Sequence, residues 1–439
     1  CLPSFGKTPR RVYCIERRAG ATLDAAYSVR GAAAMSDATF DILSPAFHAD
    51  PFPTLDRIRA QGPLVSMKLP IVGRTWLATT HASCAELLKD HENFARDPGN
   101  AGSRTQERIL RFLPRTIRAL ALNMLSLDDP EHRRLRRVVD QAFQRRTVEA
   151  LRPMIAVTAD RLLNRLEGRR EVDLLAEYCR DLPLSVICIM LGLPERDHEW
   201  FKGWLGGLKD TANIGAVLRA VPGVVGIVRY LKRIVKPGSD SDPAGLVAAL
   251  RDIEVDGERL TQEEIVSMVF LLFGAGQETT THLIAGGLHE LLAHREQLER
   301  LRAAPALMPT CVEECLRHVS PVQMTKPRFA RRDMAWQGVE LRRGDMLAGF
   351  LAAANCDDAK FERAHEFDIG RHPNPHLSFG TGVHFCLGFQ LARAEAAVAF
   401  ERVLDRFPRI RLVEDRSRIY WRRRMGLRAL AGLPVLLAA

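Results

Sequence analysis

The pattern of apolar and polar positions divides this chain into stretches of different period. From Thr261 to His294 it reads TQEEIVSMVFLLFGAGQETTTHLIAGGLHELLAH, a polar start followed by mostly apolar residues. Thr261 with Glu264 three residues on makes a capping box, so the stretch is predicted to be one long helix. At about 1.5 Å per residue, such a helix crosses the whole molecule. A second helix is predicted from Leu387 onward, where LGFQLARAEAAVAFERVLDRF places apolar side chains at helical spacing. Between Glu131 and about Arg300 the text reads helical throughout. Strand signals are confined to two regions. DPFPTLDRIRAQGPLVSMKL through TWLATTHASCAELLKD reads helix, two short strands, helix, and RFARRDMAWQGVELRRGDMLAGF reads as strands turned at Gly338 and Gly344. The expected class is mainly α with a minor β part.

Composition narrows the picture. With 439 residues, 46% hydrophobic and 26% charged, and no Gly/Ser- or Pro-rich break, residues 35–439 are expected to form a single domain. The first 34 residues are Arg-rich and without periodicity, so they are expected to be an unstructured or non-native extension, with Met35 the natural start. No run approaches the ~18 apolar residues of a membrane span. The best candidate, Gly215 to Val235, is interrupted by Arg219, Arg229, Lys232 and Arg233. Nine cysteines without a C-x-x-C pair encode neither an iron–sulfur site nor a zinc ribbon, and their scatter fits a reducing cytoplasm better than a disulfide framework. The net charge of +10 includes dense runs at Arg133, Arg134, Arg136 and Arg137 and at Arg145 and Arg146. No nucleic-acid recognition motif accompanies them, so the basic surface is expected to dock an acidic protein and not nucleic acid.

Candidate chemistry lies where local rules are broken. In Phe379-Gly380-Thr381-Gly382-Val383-His384-Phe385-Cys386-Leu387-Gly388, the glycines permit the turned backbone that a loop around a sulfur needs. Cys386 would then open the helix that follows, and the helix N-terminus is expected to favour its thiolate before any metal binds. The middle of the long helix carries Gly274, Gly276 and the polar run Gln277 to Thr281, all ill suited to a buried helix. Glu314 and Arg317 stand three apart on one face of a helix that Thr310 is expected to cap and Pro321 to end.

The Cys386 run resembles the haem-binding loop of the cytochrome P450 family at Phe379, Gly382, Cys386 and Gly388, and the resemblance extends over roughly residues 40 to 439. Ala275-Gly276-Gln277-Glu278-Thr279 is similar to the family's oxygen-binding motif, in which the helix bulges beside the haem and an acid–threonine pair, here Glu278 and Thr279, relays protons. Glu314 and Arg317 take the place of the family's structural pair, while Cys356 departs from the pattern, since many members carry Arg there. By the same resemblance His132, Arg136, Arg328 and His384 would meet the haem propionates, and Ala275, Gly276, Phe379, Gly380 and Gly388 would surround the cofactor.

The resemblance thus implies a cytochrome P450 fold with haem b between the long helix and the Cys loop, its iron ligated by Cys386. It implies a monooxygenase that inserts one atom of dioxygen into a lipophilic small molecule. Electrons would come from a separate ferredoxin or flavodoxin with its reductase, meeting Arg133 and Arg137 while Arg136 turns inward. A peroxide-driven or isomerising haem-thiolate enzyme, or a non-catalytic haem sensor, is the alternative. Pocket-lining segments by family position are Ala95–Leu120, Trp200–Tyr230, Phe270–Ala275, Val322–Lys326 and Trp421–Leu427, which are mostly apolar.

Overall fold

A computed structural model describes residues 40–70, 72–102, 123–144, 148–207, 214–255 and 257–437. They fall within one compact unit, Ala38–Ala439. The proposed extension, residues 1–34, lies outside the described residues, as do Arg145 and Arg146.

The chain opens with helices α1 (Pro45–Ala49) and α2 (Phe52–Arg59), then strands β1 (Leu64–Leu69) and β2 (Gly73–Ala78), helix α3 (His81–Lys89) and strand β3 (Phe94–Ala95). A helical block follows: α4 (Glu131–Gln144), α5 (Val148–Asn164), α6 (Asp181–Leu191), α7 (Glu195–Gly207), α8 (Ile214–Ile234) and α9 (Leu246–Asp252). Two short interruptions escape the helical reading of this region. They are β4 (Glu171–Asp173), and the hairpin of β5 (Glu254–Val255) and β6 (Glu258–Arg259). The long helix α10 runs from Gln262 to Ala293 behind the expected capping box, in which Thr261 and Glu264 each bond the other's backbone N–H.

Helices α11 (Arg295–Ala303) and α12 (Met308–Val319) lead to strands β7 (Arg328–Ala330), β8 (Met334–Trp336), β9 (Val339–Leu341) and β10 (Met346–Gly349), then helix α13 (Leu351–Asn355). Gln337 and Gly338 both have positive φ, 51° and 76°, as the tight β8–β9 hairpin requires. After an irregular stretch come helix α14 (Phe389–Arg406) and strands β11 (Arg411–Leu412), β12 (Trp421–Arg422), β13 (Ala429–Leu430) and β14 (Pro434–Leu436). The main sheet has the order β1-β2-β10-β7-β3, with β10 parallel to β2 and the other pairs antiparallel. It packs against α2, α3 and α13 around cores that include Leu77, Leu87, Phe94 and Phe350. The larger core is helical and centres on α10.

Two glycines set how closely that centre packs. A Cβ on Gly286 would collide with Val319 of α12, and one on Gly287 with Phe400 of α14 and with Cys315 Sγ at 3.1 Å. Both neighbours are fully buried and cannot withdraw. On an exposed helix Gly→Ala stabilises by about 1 kcal/mol. At Gly287 overpacking, worth ~1–3 kcal/mol, is the larger effect. Gly287→Ala is therefore expected to lower the thermal unfolding midpoint, and a midpoint equal to or above the parent's would contradict the close approach.

Candidate functional site

The Cys loop is shaped by its glycines and by three aromatic rings. Gly380 and Gly382 take φ of 67° and 75°, and a side chain on Gly382 would strike the Leu88 carbonyl at the end of α3. The Cys386 N–H donates to Phe379 O at 3.0 Å and closes the loop. Phe379 packs edge-on to Phe385 and Phe389, and the Arg393 guanidinium of α14 covers its ring at 4.7 Å. Helix α14 starts at Phe389 with Gly388 as its N-cap, so Cys386 precedes the helix and does not open it.

This placement corrects the reading of the thiol. Burial pushes the Cys386 pKa above its ordinary value, and the Gly388 backbone N–H, Arg136 and Arg393 recover only part of that rise. Desolvation outweighs the nearby donors, so the protein alone does not favour the thiolate.

Beside the loop stands a group of buried nitrogens. His132 on α4 and His384 in the loop have ring centroids 4.1 Å apart. The ladder of β3 and β7 pairs Ala95 with Phe329, so its next step sets Arg96 opposite Arg328. His132 Nε2, His384 Nδ1, Arg96 Nε and Arg328 Nε are all buried without a hydrogen-bond partner. Burial together with the charges of Arg96, His132, Arg328 and Arg136 pushes His384 down to about 2, and burial first of all lowers Arg96 to about 9 and Arg328 to about 10. So many buried donors without acceptors are costly unless an anion with several oxygens lies among them. The two carboxylates of a haem fit that requirement.

Arg96 belongs to this group although the sequence reading missed it. The available signal was an arginine directly after an apolar strand. Arg136, expected in the group, lies within electrostatic reach of His384 and is also bonded locally: it donates to Phe385 O at 2.8 Å and pairs with Asp140 at 3.0 Å. It braces the residue before Cys386.

Helix α10 packs against α14. Gly274 and Ala275 are exposed although Leu271, Leu272, Phe273 and Gln277 around them are buried, so one side of the helix is accessible there. Gly276 faces Ile187 of α6. The expected bulge is absent, since the helix continues unbroken from Gln262 to Ala293. Thr279 Oγ1 donates to Ala275 O at 2.6 Å and Thr281 Oγ1 to Gln277 O at 2.8 Å, so both hydroxyls bond back to the preceding turn. Glu278 is half-buried and forms an ion pair with Arg424, in the turn between β12 and β13. This contact lies in a segment the sequence reading took as mostly apolar; its run Arg422–Arg424 was the overlooked signal.

Glu314 and Arg317 are wholly buried on α12 and bonded at 2.8 and 2.7 Å. Arg317 also donates to the carbonyls of Asn355, Ala364 and Glu366, and Glu314 accepts from Arg371 and Asn374. Thr310 does not cap this helix. The helix starts at Met308 with Pro309 in its first turn, and the Thr310 hydroxyl donates back to Leu307 O. At Cys356 a guanidinium from another helix stands in: Arg59 of α2 bonds Cys356 Sγ at 3.3 Å and Ala353 O at 3.1 Å. Asp56, Cys356 and His365 cluster within 4.8 Å, but Arg59 already bonds Asp56 and Cys356, and burial holds the Cys356 thiol up at about 11.

Of the expected pocket segments, Val322–Lys326 and Trp421–Leu427 meet through a Val322–Leu427 bridge and the bond from Gln323 N–H to Gly426 O at 2.9 Å. Residues 103–120 and 208–213 of the other segments lie outside the described residues. A separate cavity of about 700 Å³ is lined by Arg136, Leu151, Met190, Val312, Leu387 and Phe389 among others, and no residue of α10 borders it. On the basic face Arg133 is exposed but paired with Asp129 at 2.8 Å, and Arg134 is drawn to Glu264 of α10.

A family model described as cytochrome P450 matches residues 228–417. The chain is 37% identical to the polyketide biosynthesis cytochrome P450 PksS of Bacillus subtilis, over 89% of this chain and 97% of that protein. It is 34% identical to the vitamin D(3) 25-hydroxylase of Pseudonocardia autotrophica, over 90% of this chain and 96% of the relative. A myxobacterial cytochrome P450 solved in complex with myristic acid superposes with a TM-score of 0.83 at 36% identity, covering 91% of this chain and 99% of that one.

The α12 pair gives a direct test of what supports the loop. Removing one partner of a buried pair leaves an uncompensated charge at a cost of ~3–5 kcal/mol. Arg317→Ala is expected to yield little haem-loaded protein, measured as the ratio of Soret to protein absorbance. A variant loaded like the parent would show that the pair does not support the site.

Proposed function

The chain belongs to the cytochrome P450 family, oxygen-incorporating oxidoreductases that hold haem iron by a cysteine thiolate, and from that premise we propose that Cys386 is the ligand and that Glu278 and Thr279 move protons to the reacting oxygen. The observation that carries the site assignment is the set of unpartnered nitrogens on His132, His384, Arg96 and Arg328 next to the Cys loop. These residues would bind the two propionates, and Arg136 would hold the loop through Phe385 O. When bound, the haem supplies dioxygen binding and activation, so that one oxygen atom enters the organic substrate. The chain supplies the surroundings: the Gly388 N–H and the cover of Arg393 over Phe379 steady the sulfur, and the open side of α10 at Gly274 and Ala275 leaves room above the cofactor.

The substrate class we infer is a lipophilic small molecule undergoing hydroxylation or epoxidation. It is supported by the apolar Phe270–Phe273 segment, by the exposed Met425 at the tip of the C-terminal hairpin, and by relatives named for a polyketide pathway, a vitamin D and a fatty acid complex. The Glu278–Thr279 pair favours a dioxygen-driven enzyme over a peroxide-driven or isomerising one. A small acidic ferredoxin or flavodoxin is the electron donor in this proposal, steered by the basic surface around Arg133 and Arg137. No helix among the described residues is long and apolar enough to cross a membrane, and the seven described cysteines are all free thiols, which supports a cytoplasmic location.

Two measurements test the assignments. The ferrous protein with carbon monoxide should show the red-shifted Soret band of a thiolate-bound haem, and Cys386→Ser should abolish it. Retention of that band in Cys386→Ser would refute the ligand. Thr279→Ala should keep haem content and substrate binding while lowering product formation by ~10²-fold or more and releasing hydrogen peroxide instead. Unchanged coupling of NAD(P)H oxidation to product would remove Thr279 from the relay.

A further inference from the structure

Neither proposed relay group is ready to hand over a proton in this structure. The Thr279 hydroxyl hydrogen is engaged by Ala275 O at 2.6 Å, and the Glu278 carboxylate is engaged by the Arg424 guanidinium. Glu278 is the only partner of Arg424 among the described residues.

Arg424 comes from a turn with firm feet and a partly exposed tip. The feet are tied by the Arg428 N–H to Pro321 O at 3.0 Å, the Gln323 N–H to Gly426 O at 2.9 Å, and the β12–β13 ladder. At the tip Arg423 donates to Leu43 O, while Met425, next to Arg424, is 37% exposed. The Arg424 and Glu278 side chains are 27% and 37% exposed, unlike the completely buried Glu314–Arg317 pair. A pair in contact with water is weak enough to open and close during turnover, whereas a dry pair is a fixed support. His282, one turn along α10, lies within the field of Arg424 and Arg422 but is buried and neutral, with a pKa lowered to about 3. It therefore does not compete as a cation for the carboxylate.

We propose that Arg424 is the positioning residue of the relay: by holding Glu278 against the C-terminal hairpin it keeps proton delivery shut, and movement of the hairpin tip releases the carboxylate to take a proton from solvent and pass it on. This inference rests on the relay reading of Glu278 given above. It places control of the proton step on the chain's last hairpin, next to the pocket edge formed by Val322–Lys326.

The test needs no knowledge of the substrate. Haem-loaded enzyme with a surrogate ferredoxin, its reductase and NADH, but without organic substrate, converts dioxygen, the two electrons of NADH and two protons into hydrogen peroxide and NAD⁺. Arg424→Gln should raise this peroxide rate several-fold, Glu278→Gln should lower it, and the double variant should match Glu278→Gln alone. Arg424→Lys, which keeps the charge, should stay near the parent. Thermal unfolding of the same four proteins supplies a second readout, in which the two glutamine substitutions should be non-additive if the pair exists in solution. Additive effects on both readouts, or an unchanged peroxide rate in Arg424→Gln with a lowered rate in Glu278→Gln, would overturn the role of Arg424 alone. An unchanged rate in Glu278→Gln would overturn the relay reading and this inference together.

Discussion

The structure depends most on one guanidinium that never meets water. Arg317 has five N–H donors, and all of them find acceptors: two on Glu314 and three on the carbonyls of Asn355, Ala364 and Glu366. The first carbonyl ends α13, and the other two belong to the irregular stretch between α13 and α14, which has little regular structure of its own to hold it. Backbone groups buried in such a stretch would otherwise lack partners. Glu314 balances the charge and also binds Arg371 and Asn374, only a few residues before Phe379. The preceding residue on α12, Glu313, continues the network to His376 and Arg393. One turn of α12 thus reaches both ends of the loop that presents Cys386.

Above this support the site is arranged by unequal electrostatics. The side holding His132, His384, Arg96 and Arg328 has more buried donors than acceptors, and the sulfur is buried more than its donors compensate. Both imbalances have the sign that an anionic, metal-bearing cofactor corrects. Under the proposed site assignment, the haem-free chain carries a cost that binding removes, and folding and cofactor uptake are thermodynamically linked.

Much of this was legible in the sequence because it is local. The capping box and the length of α10, the Gly–Cys spacing of the loop, and the Glu314–Arg317 spacing all lie within single turns or loops. What escaped depends on pairing across the chain. Arg96 joins the site only because β3 lies beside β7, and Arg424 meets Glu278 only because the C-terminal hairpin folds back on α10. The thiol was misjudged because helix proximity can be read from sequence, whereas the degree of burial that overrides it cannot. The start of α12 was misplaced for a local reason, since Pro309 is a better opening signal than Thr310. The expected bulge in α10 is not seen: the helix runs unbroken, with the Thr279 and Thr281 hydroxyls bonded back to the preceding turn.

The glycine contacts of α10 also differ along its length. Gly286 and Gly287 clamp one half of this rod between α12 and α14, while Gly274 has no atom within 4 Å of where a side chain would begin. A methyl group added along this one rod would find open space at Gly274, ordinary contact with Ile187 at Gly276 and a collision at Gly286 and Gly287, so the same small change is tolerated near the middle of the helix and refused toward its end.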